Sequence, residues 1–182
     1  HGIAWFRWML GGRQKAVSVY AHMQRGLIHQ GRTKAEENSL VTVEFEGGAI
    51  GVAENSWAKL GGMDDRVEVY GTGGVVYADL FVGNSALTYS EAGYGYAMEK
   101  AASTKGWSFT IFEEAFNQGY PQELKHFIQC VREDKDPVVT GEDGRAVLEI
   151  MLAAYESART GRKVPLPFHP KVKKPIDLWL GA

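Results

Sequence analysis

From Val41 to Leu80 apolar side chains recur at every second position, and glycine-rich breaks divide the run. Val41, Val43 and Phe45 alternate with Thr42 and Glu44. After Gly47-Gly48 a second run extends from Ala49 to about Trp57. Val67 and Val69 open a third, which Gly71-Thr72-Gly73-Gly74 turns into Val75 to Leu80. A period of two is what a half-buried strand needs, because successive side chains point to opposite faces. A glycine pair between two such runs marks a hairpin. The same alternation holds upstream, where Val17, Val19, Ala21 and Met23 interleave with Ser18, Tyr20, His22 and Gln24, while 25–38 reads as a polar loop and Ala86 to Ser90 as an edge strand. Consecutive strands with tight turns imply an antiparallel or mixed meander.

The period changes to a helical one at both ends. Ile3, Phe6 and Leu10, widened by Trp5 and Met9, predict a short buried helix that Gly11-Gly12 stops. Leu124, Phe127, Ile128 and Val131 predict an amphipathic helix started at Pro121. Thr140 with Asp143 three residues on is a capping-box start for another, carrying Val147, Met151, Ala154 and Ala158 to a stop at Gly161. The expected fold class is α+β: an open-faced, mostly antiparallel mixed sheet with helices on one face. The expected domain spans 1–167, with 168–182 an extended, proline-rich tail. The uncovered sheet face calls for a partner, and a homo-oligomer formed through it is the expectation.

Charge narrows the partners. Twenty Lys+Arg against 22 Asp+Glu in 182 residues, a net charge of -2, offer no field for nucleic acid or an anionic membrane. Apolar runs such as Val147 to Ala154 are far shorter than the ~20 residues of a membrane span. One cysteine, Cys130, excludes an internal disulfide framework and suits a reducing cytoplasm. A small neutral or weakly charged ligand fits better. His1 leads straight into an apolar helix, so a preceding segment is expected.

Three catalytic patterns fail. Gly71-Thr72-Gly73-Gly74 resembles the start of a dinucleotide loop, but Val76 stands at the third glycine and a strand follows where a helix N-terminus would have to receive pyrophosphate. The histidines at 1, 22, 29, 126 and 169 form no metal-binding pair, and no G-x-S-x-G elbow is present.

Other segments are more telling. Gly141-Glu142-Asp143-Gly144-Arg145-Ala146, continuing through Tyr155-Glu156-Ser157-Ala158 to Thr160-Gly161-Arg162, resembles the closing helix of the Gfo/Idh/MocA oxidoreductase family. Gly62-Met63-Asp64-Asp65-Arg66-Val67-Glu68-Val69-Tyr70-Gly71-Thr72 resembles its G-Y-D-x-R-x-E-V-x-G-T pattern, and Glu36-Glu37-Asn38 resembles the E-D-N that leads into one of its strands. The resemblance implies a C-terminal, substrate-side domain whose NAD or NADP is held by a preceding Rossmann domain. No cofactor is then expected on this chain, nor activity from it alone. It also implies a catalytic histidine in D-x-G-x-H-x-x-D, of which His1-Gly2-Ile3-Ala4 looks like the remnant, with Ala4 in place of the acidic residue. A histidine suits such chemistry, because oxidising a secondary alcohol leaves a proton for a near-neutral base to take.

The candidate catalytic residue is therefore His1. Candidate substrate contacts are Trp57 and Lys59, an aromatic platform and a cation at a strand end; Asp64 and Asp65, acceptors for hydroxyls; and His29, in a loop that could approach the ligand. Core tryptophan, solvated lysine, turn-forming aspartates and solvated histidine are their ordinary readings. The alternative to an enzyme half is a non-catalytic carbohydrate-binding or assembly module of the same fold.

Overall fold

The computed structural model describes residues 1–10, 12, 14–28, 32–61, 63–83, 86–95, 103–110, 114–172 and 174–180. They fall into two compact units, His1–Ala58 with Val138–Ala182, and Lys59–Pro137.

The first unit is built on a sheet of β1 (Ala16–Gln24), β2 (Asn38–Phe45), β3 (Ile50–Ser56) and β8 (Val164–Pro165), in the order β3-β2-β1-β8 and antiparallel throughout. The hairpin between β2 and β3 turns on Gly47 and Gly48, at φ 85° and 88°, a backbone region in which a Cβ is strained. Alternation puts Val19, Ala21, Val41, Val43, Phe45 and Ala53 on one face, where they pack with Ile3 of α1 (Gly2–Met9) and Ile150, Ala153 and Ala154 of α4 (Gly141–Thr160). The fold is α+β, with α1 and α4 covering that face. The other carries Ile50 and Val52, 65% and 59% exposed.

Most expected boundaries lie within two residues of the observed ones, and the differences have local causes. Val17 is exposed although the alternation pairs it with Val19, because a bulge between Ala16 and Ser18 shifts the register and turns Ser18 inward. Trp5 and Met9 do not widen the stripe of α1; both are exposed. Along α4 the buried stripe is Ile150, Ala153, Ala154 and Ser157, and Met151 is exposed. Ser157 belongs there because its hydroxyl accepts the Ala21 N–H at 2.9 Å, which the two-residue β8 does not reach, and donates to the Arg162 carbonyl at 2.7 Å.

The capping box forms as expected at α4: Thr140 and Asp143 bond reciprocally, and Gly161 closes the helix at φ 64°. From the end of α1, Arg7 reaches Asp143 at 2.8 Å. The tail belongs to this unit, its helix α5 (Pro175–Leu180) packing on α4 through Leu178, with the Arg25 guanidinium over the Trp179 ring at 5.5 Å.

The second unit contains two hairpins, β4 (Arg66–Gly71) with β5 (Gly74–Asp79) and β6 (Ala86–Ser90) with β7 (Gly106–Thr110), and the helices α2 (Glu114–Asn117) and α3 (Tyr120–Glu133). Strand β7 has inverted polarity: Ser108 and Thr110 are buried and Trp107 is 70% exposed. The buried hydroxyls are satisfied by one another, since Tyr94 bonds Thr88 at 2.7 Å, Ser108 at 2.9 Å and also Thr110. Those bonds lower the Tyr94 pKa, the Ser108 bond most. Pro121 stands in the first turn of α3, which buries Cys130 and leaves Leu124, Phe127, Ile128 and Val131 exposed.

Candidate functional site

His1 is the N-cap of α1, exposed, its carbonyl accepting the Trp5 N–H at 3.0 Å. What aims it is the seating of the helix on β3. A Cβ on Gly2 would lie 3.1 Å from the Ala53 Cβ, and one on Gly51 would lie 2.5 Å from the Phe6 ring. Gly51 thus exists to admit that ring. Four helical residues advance about 6 Å and two strand residues about 7 Å, so α1 runs antiparallel to β3 and carries His1 toward the end where Ser56 and Trp57 lie. Trp57 is 67% exposed there.

The same end is tied to the loop after β1. The Trp57 N–H donates to the Glu37 carbonyl at 2.7 Å, and the Glu37 N–H to the Gln24 carbonyl at 2.8 Å. The Glu37 side chain, 1% exposed, accepts the backbone N–H groups of Leu27 at 2.5 Å and Ile28 at 3.1 Å. A buried carboxylate holds the first turn of the loop where neutral groups would bind it more weakly. Beside it the Glu36 carboxylate accepts the Tyr155 hydroxyl at 2.9 Å. Burial first, and Glu36 second, raise the Tyr155 pKa and keep the phenol protonated. A cavity of about 250 Å³ opens along this loop, lined by Arg25, Gly26, Thr33 and Lys34. His29 lies outside the described residues.

Lys59, Asp64 and Asp65 belong to the second unit. Asp64 is paired with Lys59 and takes Arg66 Nε at 2.7 Å and Nη2 at 3.1 Å. The Lys59 ammonium, with help from Arg66, holds its carboxyl below the usual carboxylate range. Asp65 is half-buried, and its carbonyl accepts the Leu80 N–H at 3.0 Å. Within the first unit the structure therefore sets His1 and Trp57 toward one end, and in the second it joins Lys59 to Asp64. Glu37 is a feature that residue type alone does not reveal. Its signal in the sequence is the Glu36-Glu37-Asn38 lead into β2, which carries no hint that the second carboxylate is buried.

Among the described residues no group of three or more His, Cys, Asp or Glu could hold a metal ion, and no helix is long and apolar enough to cross a membrane. The segment Gly71-Thr72-Gly73-Gly74 is the turn between β4 and β5, with Gly71 paired to Gly74. It does not fit a dinucleotide phosphate, which needs N–H groups at the start of a helix.

A family model described as the C-terminal alpha/beta domain of an oxidoreductase family matches residues 1–166. Among curated relatives, scyllo-inositol 2-dehydrogenase (NAD(+)) of Bacillus subtilis is 33% identical over 163 residues, 88% of this chain and 44% of the relative. Myo-inositol 2-dehydrogenase of Thermotoga maritima is 31% identical over 137 residues, 75% of this chain and 38% of the relative. Among solved structures, GenD2 from gentamicin A biosynthesis, in complex with NAD, superposes with a TM-score of 0.82 at 35% identity, covering 92% of this chain and 46% of that one. The chain spans less than half the length of each of these proteins.

Proposed function

The chain belongs to the Gfo/Idh/MocA oxidoreductase family as its C-terminal domain, and on that premise we propose that it is the substrate-side domain of an NAD(P)-dependent enzyme that interconverts a hydroxyl and a carbonyl on a sugar or polyol. The observation that carries this reading is the seating of α1 on β3, which directs His1 toward the strand end that bears Trp57. An exposed imidazole there takes the hydroxyl proton during oxidation and returns it during reduction. Trp57 offers an apolar face to the C–H side of a sugar-like ring. The Glu37-anchored loop borders the same end, and His29 is a further substrate contact in this reading. Lys59, Asp64 and Asp65 act as substrate contacts in this reading, with Lys59 and Asp64 contributing as a pair.

The relatives named for inositol and for NAD support the substrate class and the cofactor. The hydride of such a reaction would go to a nicotinamide, whose binding is assigned in this reading to a region outside this chain. The chain by itself is then inactive, and the lone cysteine, buried and free, accords with a cytoplasmic protein. The open sheet face with Ile50 and Val52 is where a second copy would pack.

The test combines binding with turnover. Calorimetry of the chain alone should register no binding of NAD or NADP. The protein joined to its nucleotide-binding region should oxidise an inositol, and His1→Ala should lower kcat about 10²- to 10⁴-fold. Tight nucleotide binding by the chain alone, or an unchanged kcat in His1→Ala, would sink the reading; turnover of no polyol at all would favour the non-catalytic module.

A further inference from the structure

Asn55 breaks the pattern of its strand. On β3 the positions that face α1 and α4 are Gly51 and Ala53, both buried; the next position of that parity is Asn55, and it is exposed. Its neighbour across the ladder is Ser39, and the next is Met23, which still packs against the core, so the covered face turns polar at the β3 and β2 positions of this row. The cause is the length of the covering helix: α1 is spent at Gly2, opposite Ala53, and its N-cap is His1. The Asn55 carboxamide is thus the first side chain of the covered face beyond the helix end, at the end of the helix that His1 caps.

Its bonding is also incomplete. Among the described residues its one side-chain hydrogen bond runs from Nδ2 to Ser39 Oγ at 3.4 Å, the long end of the range. On the opposite face the matching row is closed, Ser56 donating to Asn38 at 2.6 Å and Asn38 to Gln24 at 3.2 Å. A carboxamide offers a donor and an acceptor at once, the pair that a hydroxyl requires.

Resting on the reading of His1 as the proton acceptor, we infer that Asn55 is a specificity-determining residue, its carboxamide hydrogen-bonding the substrate hydroxyl that neighbours the one His1 deprotonates. Ser39 holds the amide toward the ligand and is a positioning residue.

The experiment compares an inositol with the deoxyinositol that lacks the neighbouring hydroxyl, using the protein with its nucleotide-binding region and NAD. The unsubstituted protein should favour the inositol by about tenfold in kcat/KM, the worth of one good hydrogen bond. Asn55→Ala should erase that preference by raising KM for the inositol about tenfold, with kcat, KM for NAD and thermal stability unchanged, and Asn55→Gln should restore part of it. A preference that survives in Asn55→Ala, alongside His1-dependent turnover, overturns the inference and leaves the role of His1 standing. Turnover that does not depend on His1 overturns both.

Discussion

The two units show opposite ways of holding a chain together. In the first, contacts join residues far apart in sequence: Arg7 with Asp143, the Ala21 N–H with Ser157, Tyr155 with Glu36, and α1 and α4 on the same sheet face. In the second, the bonds join residues much nearer in sequence, as in Asp64 with Lys59 and Arg66, Glu133 with Lys135, and the Tyr94 hydroxyl cluster, whose partners lie 6 to 16 residues from Tyr94. Two cross-strand aromatic pairs, Tyr89 with Trp107 at 5.3 Å and Tyr70 with Tyr77 at 6.0 Å, lie on exposed surface. Long-range packing builds a hydrophobic core, and short-range bonding builds hairpins whose apolar faces stay open. The first unit is thus where the helix that His1 caps is seated on a core.

The largest test of this contrast is a pair of truncations. Ile150→Ala, deep in the first unit, should cost about 2–5 kcal/mol in denaturant unfolding. Leu87→Ala, exposed on β6, should stay within about 0.5 kcal/mol. Equal costs would mean that the second unit has a core of its own and the contrast is wrong. A middle-sized effect belongs to the open face. Ile50→Glu should change the stability of the monomer by no more than about 0.5 kcal/mol, yet shift sedimentation toward the monomer. Unchanged sedimentation would remove this face as the contact between copies.

The smallest effect is a pH dependence in the first unit. Asp143 has its pKa lowered from 3.8 to about 2, chiefly by the backbone N–H of Thr140 and then by Arg7. A carboxyl whose folded pKa lies below its unfolded one adds stability that is complete above the unfolded value and gone below the folded one. Thermal melts should therefore lose a small increment between about pH 4 and pH 2, and Asp143→Asn should lose less over that interval. An Asn variant with the same acid slope would show that the capping box and the Arg7 pair contribute nothing measurable.

Much of the first unit was legible residue by residue. Alternation located β1, β2 and β3, glycines located their hairpin, and Thr140 with Asp143 located the start of α4. Where the pattern misled, a local event had reversed a face. A bulge turned Val17 out, and hydroxyls that satisfy one another turned Ser108 and Thr110 in, leaving Trp107 out. Hydrophobicity ranks residues by what water prefers, so a strand whose polar atoms are all paired inside escapes it. For the site, His1, Trp57, Lys59, Asp64 and Asp65 were named from residue type and motif. Asn55 and Glu37 were not, because what sets each apart is where it sits.

The sequence by itself determined the periods of the strands, the stops and caps of the helices, the absence of a dinucleotide loop at Gly71 to Gly74, and the family to which the motifs point. These are properties of near neighbours on the chain. Only the tertiary structure decided which end of β3 receives His1, that Glu37 is buried under the loop after β1, and that Asn55 is the first uncovered position beyond α1. Each of those depends on a helix meeting a strand some fifty residues away in the chain, or on a carboxylate whose burial is tolerable because backbone N–H groups converge on it, and no local pattern records such a meeting.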